Sequence, residues 1–297
     1  VATSSRAASP AAGLAVVPAL FGLVRFAHTV FALPFAFAAA LLARHEVPPA
    51  ATLGWILLAM VGARSLAMAL NRLIDARIDA ANPRTAGREL PSGRLSTNQV
   101  LVFCVLSLAA LLGAVSRLPE PTWYLWPIPV ALFVAYPFAK RVTWACHLLL
   151  GVTIGLAAPG AWLAVTGSLD AASPWLLGLA VACWIAGFDI IYALLDVEHD
   201  RAHGIHSAPV RFGPARALWG TRILHLAAVA LLLAAGLAAG AGAIYVVGVV
   251  CCAGVLAWEN LRMASGDVGR VAHAFGTANM VLSLAFAAFT LAEVTLS

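Results

Sequence analysis

Residues 52–80 read TLGWILLAMVGARSLAMALNRLIDARIDA. From Thr52 to Leu70 the only ionisable side chain is Arg64. Asn71, Asp75 and Asp79 then follow at steps of four, which puts them on one face of a helix. A membrane span needs roughly 20 apolar residues. In hydrocarbon, every backbone polar group must be bonded within the chain, which leaves helices or closed barrels. The stretch has no alternating strand pattern, so it reads as a spanning helix that carries acids at one end.

The rest of the chain follows that lead. Its 297 residues are 62% hydrophobic and 10% charged, with a mean hydropathy of +0.93. Soluble domains run near about 45–50% apolar and about 25% charged. A water-soluble domain, a disordered chain, a collagen-like fibre and a disulfide-rich secreted domain are all excluded. Nine apolar segments are expected, near 14–43, 52–80, 97–116, 122–139, 143–166, 174–197, 214–236, 241–261 and 271–295. Breakers separate them, among them Pro48-Pro49, Asn82-Pro83, Gly213-Pro214 and Gly240 to Gly242. The expected fold is all-α: nine transmembrane helices in one bundle around a central cavity, after a disordered tail over 1–12. The first apolar run, through Arg25 and His28 to Ala43, is too long for a cleaved signal core. Cys104, Cys146, Cys183, Cys251 and Cys252 lie inside apolar runs without CxxC spacing and read as small buried hydrophobes.

The net charge of +5 does not point to nucleic acid, because the basic residues sit in short loops between apolar runs. With the N-terminus inside, the inner side takes Arg6, Arg77, Arg84, Arg88, Arg94, Lys140, Arg141, Arg201, Arg211, Arg216, Arg222, Arg262 and Arg270. The outer side takes only Arg44 and Arg117. That asymmetry predicts a cytoplasmic N-terminus, an outer C-terminus and both long polar loops on the cytoplasmic side of the inner membrane.

Three arginines, Arg25, Arg64 and Arg72, fall within expected spans, where an ion at mid-bilayer costs at least ~2.5 kcal/mol. Five of the seven aspartates lie in two short stretches. The second, residues 189–200, reads DIIYALLDVEHD and places Asp189, Tyr192, Asp196 and Asp200 on one helical face. Two acidic faces at one depth repel unless a cation lies between them. Hard divalent ions with oxygen ligands fit, and Mg²⁺ in particular shares its shell with substrate phosphates. A basic loop follows each stretch: RTAGRELPSGR at 84–94 and RAHGIHS at 201–207, with Lys140 and Arg141 nearby. Acids for a metal beside bases for an anion suit a diphosphate. A lone acidic helix end would more simply be solvated or salt-bridged; a matched pair, about 120 residues apart in a weak internal repeat, favours a site.

At these residues the sequence resembles the UbiA superfamily of intramembrane aromatic prenyltransferases. The resemblance rests on NRLIDARIDAANPRTAGRELPSG at 71–93, YPFAKR at 136–141 and DIIYALLDVEHDRAHGIHSAPVRFG at 189–213, and with the nine-span layout it covers essentially the whole chain. Within the family it is most similar to the 4-hydroxybenzoate polyprenyltransferase group and its menaquinone-pathway relatives. The resemblance implies Mg²⁺-dependent transfer of a polyprenyl group to an aromatic hydroxy acid in quinone biosynthesis. Asn71, Asp75, Asp79, Asp196 and Asp200 would be the metal–diphosphate residues, directly or through water. Asp189 and Tyr192 would face the reacting centre, with Asp189 assisting the phenol. Arg25, Arg64, Tyr136, Lys140 and Arg141 would bind acceptor or diphosphate, with Arg84 and Arg88 among the bases of the mouth. Phe26, Phe31, Trp184 and Phe188 are candidates to stabilise an allylic cation through their π faces. The expected partners are the two substrates and the lipid bilayer, with no nucleic acid and no obligate protein partner.

Two residues depart from the family pattern. Arg72 stands where many members carry Asp, and His206 where they often carry Lys; both variants resemble the branch that prenylates a dihydroxynaphthoate. Two other readings compete. Acidic faces on two halves could form the ion site of a secondary transporter, which predicts spans broken by Gly or Pro at motif depth, whereas both motif segments read as continuous helices. His199, His203 and His206 could ligate zinc, against which stands their place in a solvent-facing loop.

Overall fold

The computed structural model describes residues 10–24, 32–263 and 268–297, with the backbone alone for 10–15 and 268–275. Its helices are α1 (Pro10–Leu23), α2 (Leu33–Leu42), α3 (Ala50–Ala81), α4 (Thr97–Val115), α5 (Glu120–Leu125), α6 (Pro127–Ala139), α7 (Cys146–Gly155), α8 (Ala157–Thr166), α9 (Ser173–Ala193), α10 (Val197–Ala202), α11 (Ala208–Phe212), α12 (Pro214–Ala239), α13 (Ala243–Met263) and α14 (Val268–Leu296). A 3-10 turn, Leu194–Asp196, joins α9 to α10. No described residue is in a strand.

Among the described residues, eight helical stretches are long and apolar enough to cross a membrane, four of them α3, α4, α12 and α13. The others are Glu120–Ala139, Cys146–Thr166, Ser173–Ala202 and Gly276–Leu296. They fall within a few residues of eight of the nine expected segments. The first expected segment, 14–43, is carried by α1 and the short apolar α2, with 25–31 outside the described residues. Of the expected tail over 1–12, residues 1–9 lie outside the described residues, and α1 begins at Pro10.

Local chemistry sets the helix ends. Ser96 and Gln99 form a reciprocal capping box at the start of α4: the Gln99 N–H donates to Ser96 Oγ (3.3 Å), and the Ser96 N–H to Gln99 Oε1 (2.8 Å). Gly167 and Gly240 close α8 and α12 at φ 73° and 76°, a left-handed conformation that favours glycine. The start of α13 is capped from α14, where Glu293 accepts from the N–H groups of Gly242 (2.6 Å) and Tyr245 (3.0 Å).

Two apolar clusters organise the packing. One, around Phe35, Leu177, Trp184, Tyr245, Leu282 and Phe286, joins α2, α9, α13 and α14. The other, around Leu23, Leu66, Ala69, Val100 and Phe133, joins α1, α3, α4 and α6. Helix α9 lies against both α7 and α12. Its approach to α7 depends on glycine: a Cβ at Gly151 would stand 2.2 Å from the Ala182 carbonyl oxygen, and one at Gly155 would stand 2.3 Å from that of Gly178. A buried polar chain pins the α9, α13 and α14 cluster, in which Trp184 Nε1 donates to Asn279 Oδ1 (2.5 Å) and Asn279 Nδ2 to Glu259 Oε1 (2.6 Å). Side chains such as Val102, Val105, Leu106 and Leu226 point outward, as suits helices solvated by lipid. Cys251 joins them and is exposed, so the expectation of five buried cysteines fails at that position, on the outer face of α13; Cys183 is half-buried.

A cavity of about 500 Å³ opens among α3 to α8. Its walls include Ala63, Met68, Phe133, Ile154 and Gly160, and its few polar lining groups include Arg64 and Tyr136. Helix α9 also packs closely on α12, where a Cβ at Gly187 would meet the His225 ring at 2.6 Å.

Gly151→Ala or Gly155→Ala is expected to destabilise the bundle by about 1–3 kcal/mol, because a backbone carbonyl cannot yield as a side chain does. Gly54→Ala, where the added methyl meets nothing, should leave stability equal or slightly raised. Thermal unfolding in detergent checks the contrast.

Candidate functional site

Helix α3 runs unbroken through the first acidic stretch, and its C-terminal turns carry Asp75 and Asp79 into the bundle at 1% and 5% exposure. Carboxylates so buried demand partners. Asp75 Oδ2 accepts from Asn71 Nδ2 (2.8 Å), one turn back on the same face, and from Lys140 Nζ (2.6 Å). The Arg141 guanidinium lies 3.5 Å from Asp75 Oδ1 and donates to the Ile74 carbonyl (2.7 Å). Asp79 Oδ1 accepts from Arg88 (2.6 Å), and Arg72 approaches its other oxygen at 3.8 Å. The residue that departs from the family pattern thus turns inward and lies beside an acid.

Beyond α3 the chain folds back over the site. Asn82 caps the helix and takes the Arg84 N–H on its side-chain oxygen (2.9 Å), while Thr85 Oγ1 donates to the Asp79 carbonyl (2.9 Å). Asn82 and Arg84 both reach the second acidic stretch. Asn82 Nδ2 donates to Asp196 Oδ1 (3.1 Å), and Arg84 Nε donates to the same oxygen (2.8 Å). A second Arg84 nitrogen contacts Asp196 Oδ2, completing a bidentate pair. The hydrogen bond to Asp196 holds the Arg84 guanidinium above its usual value despite burial.

The second stretch is not one continuous α-helix. After Ala193 it tightens into the 3-10 turn and restarts at Val197, with Asp196 at φ −113° and ψ 7°. No Gly or Pro causes the change; the pull of Arg84 and Asn82 on Asp196 coincides with it. Asp189, Tyr192, Asp196 and Asp200 therefore do not share one regular helical face. Asp200 is buried at 8% exposure in α10, and Tyr192 lies obliquely against Phe188, their rings 4.8 Å apart.

Asp189 has a partner that the sequence pattern did not single out. His147, at the start of α7 and 4% exposed, meets Asp189 Oδ2 through Nδ1 at 2.7 Å. Only its place in the fold shows this, since a lone histidine among apolar residues most often packs in a core. Asn82, previously read only as part of a helix breaker, was missed likewise. Trp184, expected near an allylic cation, is instead a core residue bonded to Asn279 and packed on Phe35. It is large enough to fill the α2, α9 and α14 junction, which takes it away from the cavity. Arg25, Phe26 and Phe31 lie outside the described residues.

Two tests of metal binding give different answers. Among the described residues no three His, Cys, Asp or Glu groups converge as a metal site. The histidine trio does not assemble for zinc: the His199 and His203 rings stack at 4.0 Å, and the His206 N–H donates to the Lys140 carbonyl. The α3 acids, however, keep unused capacity, as Asp75 Oδ1 and Asp79 Oδ2 are buried one turn apart without a hydrogen-bond partner. Oxygen donors of this kind fit a hard divalent cation.

Comparison with known proteins matches residues 32–292 to the model of the UbiA prenyltransferase family. The 4-hydroxybenzoate octaprenyltransferase of Serratia proteamaculans is 38% identical over 150 residues, about half of each chain (50% and 51%). That of Aliivibrio fischeri is 30% identical over 234 residues, 78% of this chain and 80% of its own. Among solved structures, the apo UbiA homolog from Aeropyrum pernix K1 is 34% identical, covers 89% of this chain and 97% of that one, and superposes with a TM-score of 0.82. A UbiA homolog from Archaeoglobus fulgidus bound to DMAPP and Mg²⁺ shares the fold at TM-score 0.72 and 20% identity, with 94% and 99% coverage.

A double-mutant cycle on Asp79→Ala and Arg88→Ala should give a coupling of about 1–3 kcal/mol in thermal unfolding, because Asp79 is buried. The same cycle on the more exposed Arg94–Glu89 pair should give less than about 1 kcal/mol.

Proposed function

Because the chain belongs to the UbiA prenyltransferase family, we propose that it transfers a polyprenyl group from a prenyl diphosphate to an aromatic hydroxy acid of the 4-hydroxybenzoate type, for quinone biosynthesis. The observation that carries this reading is the juxtaposition of paired acids and bases with an apolar cavity. Asp75, Asp79 and Asp196 each face a lysine or arginine, beside a cavity of about 500 Å³. A polyprenyl diphosphate has a matching form, with a highly charged head and a tail soluble only in lipid.

Asn71, Asp75, Asp79, Asp196 and Asp200 would hold Mg²⁺, whose bound charge neutralises the diphosphate and its leaving oxygen. Lys140, Arg141, Arg84 and Arg88 would turn from these acids to the diphosphate oxygens. Each base would then exchange one anion for another. Arg64 and Tyr136, at the cavity wall, would bind the acceptor, with the Arg64 guanidinium against its carboxylate; Arg25 has the same proposed role. Apolar walls keep water from the allylic centre. There the C–O bond breaks with its electron pair on the diphosphate, and the ring carbon ortho to the hydroxyl forms the new C–C bond. That carbon then loses its proton to restore aromaticity, and the proton leaves with the diphosphate. Asp189 makes the ring electron-rich by accepting the phenolic proton and returning it. Phe188 and Tyr192 present π faces near this centre. The mouth would face the cytoplasm, following the loop arginines.

A dihydroxynaphthoate is the second acceptor class, favoured by Arg72 and His206. An ion-coupled transporter is disfavoured, because no Gly or Pro breaks either motif: α3 is continuous, and the 3-10 turn Leu194–Asp196 contains neither residue.

Membranes containing the protein, given Mg²⁺, prenyl diphosphates of several lengths and a panel of hydroxybenzoates and dihydroxynaphthoates, should yield a prenylated acid detectable by mass. EDTA should abolish product, and Mn²⁺ should restore it. Asp75→Ala and Asp196→Ala should each lower the rate by at least about a hundredfold without loss of the protein from the membrane. Metal-independent turnover, or substrate-driven ion flux without product, would overturn the reading.

A further inference from the structure

His147 is tied at both ring nitrogens to elements on opposite sides of the site. Nδ1 meets Asp189 Oδ2 at 2.7 Å, and the Ala208 N–H, the first of α11, donates to Nε2 at 3.2 Å. No side chain of Ser207 caps that helix, so the imidazole takes the place of the cap. A nitrogen that accepts a backbone N–H carries a lone pair. The proton of the neutral ring must therefore lie on Nδ1, where it donates to the carboxylate. The backbone thus selects the tautomer, and the Nδ1–H meets one of the two Asp189 oxygens, Oδ2. Asp189 is 36% exposed in its side chain, whereas His147 is 5%. One carboxylate oxygen is thereby committed inward and the other is left for a ligand.

Resting on the prenyl-transfer reading above, we propose that His147 is a positioning residue for the aromatic acceptor: it locks Asp189 with Oδ1 aimed at the phenolic O–H. His147 does not itself take the proton, because protonation of Nε2 would set an N–H against the Ala208 N–H. The segment ending at Ala208 is held to the basic strip by the His206 N–H donating to the Lys140 carbonyl (2.7 Å) and by Cys146 Sγ lying 3.4 Å from the His206 carbonyl.

Glutamine separates positioning from a titrating role, since its amide N–H can donate to Asp189 while its oxygen accepts from Ala208, and it cannot ionise at working pH. With saturating prenyl diphosphate and Mg²⁺, His147→Ala should lower kcat for prenylation about a hundredfold. The KM for prenyl diphosphate should stay within about twofold, and His147→Gln should recover most of the rate. The loss in His147→Ala should shrink for acceptors with more acidic phenols, which need less help in losing the proton. A purely structural histidine would give the same loss for every acceptor. In an Asp189→Asn background, neither His147 variant should change the residual rate by more than about twofold; that arm uses the partly exposed partner and tests the link even where His147→Ala folds poorly. Wild-type kinetics in His147→Ala, equal loss in Ala and Gln, or additivity with Asp189→Asn would overturn the positioning role while leaving prenyl transfer standing. No product from the wild-type protein would instead overturn prenyl transfer, and this inference with it.

Discussion

A carboxylate buried at the end of an apolar helix bundle needs a cation or a set of donors within reach, and much of this structure follows from that requirement. Asp75 is answered from residues 140–141, Asp79 from Arg88, Asp196 from Arg84 and Asp189 from His147. Two segments, residues 84–88 and 140–147, supply all of these partners, so the ion pairs do the work of tertiary contacts. The polar segment from Asn82 to Arg88 is drawn inward by an acid on either side of it. The 203–208 turn is drawn in by hydrogen bonds to Lys140 and His147. The two longest polar connections of the chain are thus folded onto the acids, although each carries charges that water would otherwise solvate.

The spans were legible because period and length are strong signals. Eight helical stretches matched the apolar segments to within a few residues, and the α3 acids share a face because their i, i+4 spacing survives in an unbroken helix. The second motif was less legible for a physical reason. Its spacing fits a regular helix equally well, but the helix tightens into a 3-10 turn at Asp196, where residues 82 and 84, more than a hundred positions away, make contact. Local periodicity carries no trace of those contacts. His147 escaped for a related reason: nothing around it in the chain predicts Asp189, 42 positions on, or the first N–H of α11. Glu259 belongs with these. It is a buried carboxyl in α13 whose donor, Asn279, is supplied by another helix. Composition marks such residues as costly in a membrane; only packing shows what satisfies them.

Packing also shapes the bundle around the cavity. Small residues bring α9 close to both neighbours, with Gly151 and Gly155 admitting it on the α7 side and Gly187 admitting the His225 ring on the α12 side. The cavity between α3 and α8 is walled mostly by apolar side chains, with Arg64 and Tyr136 among its few polar groups.

The pairing that stabilises the protein alone is also what prepares it for a charged ligand. The acids lie inside, with side-chain exposures of 2% for Asp75 and 7% for Asp79. Their bases lie outside, at 26% for Lys140, 39% for Arg141 and 20% for Arg88. An outer base on a flexible stem can turn to a new anion without moving the helix that holds the acid. Under the proposed reading, a cation and a diphosphate arriving together replace each acid–base contact with two contacts of the same sign pattern. Desolvation has already been met by the fold, so the exchange costs little beyond side-chain rotation. Asp189 stands apart from this exchange because its partner is an imidazole whose other nitrogen is held by a backbone N–H. It keeps its orientation while the ions around it change partners, as a group that must meet a phenol at one defined oxygen requires.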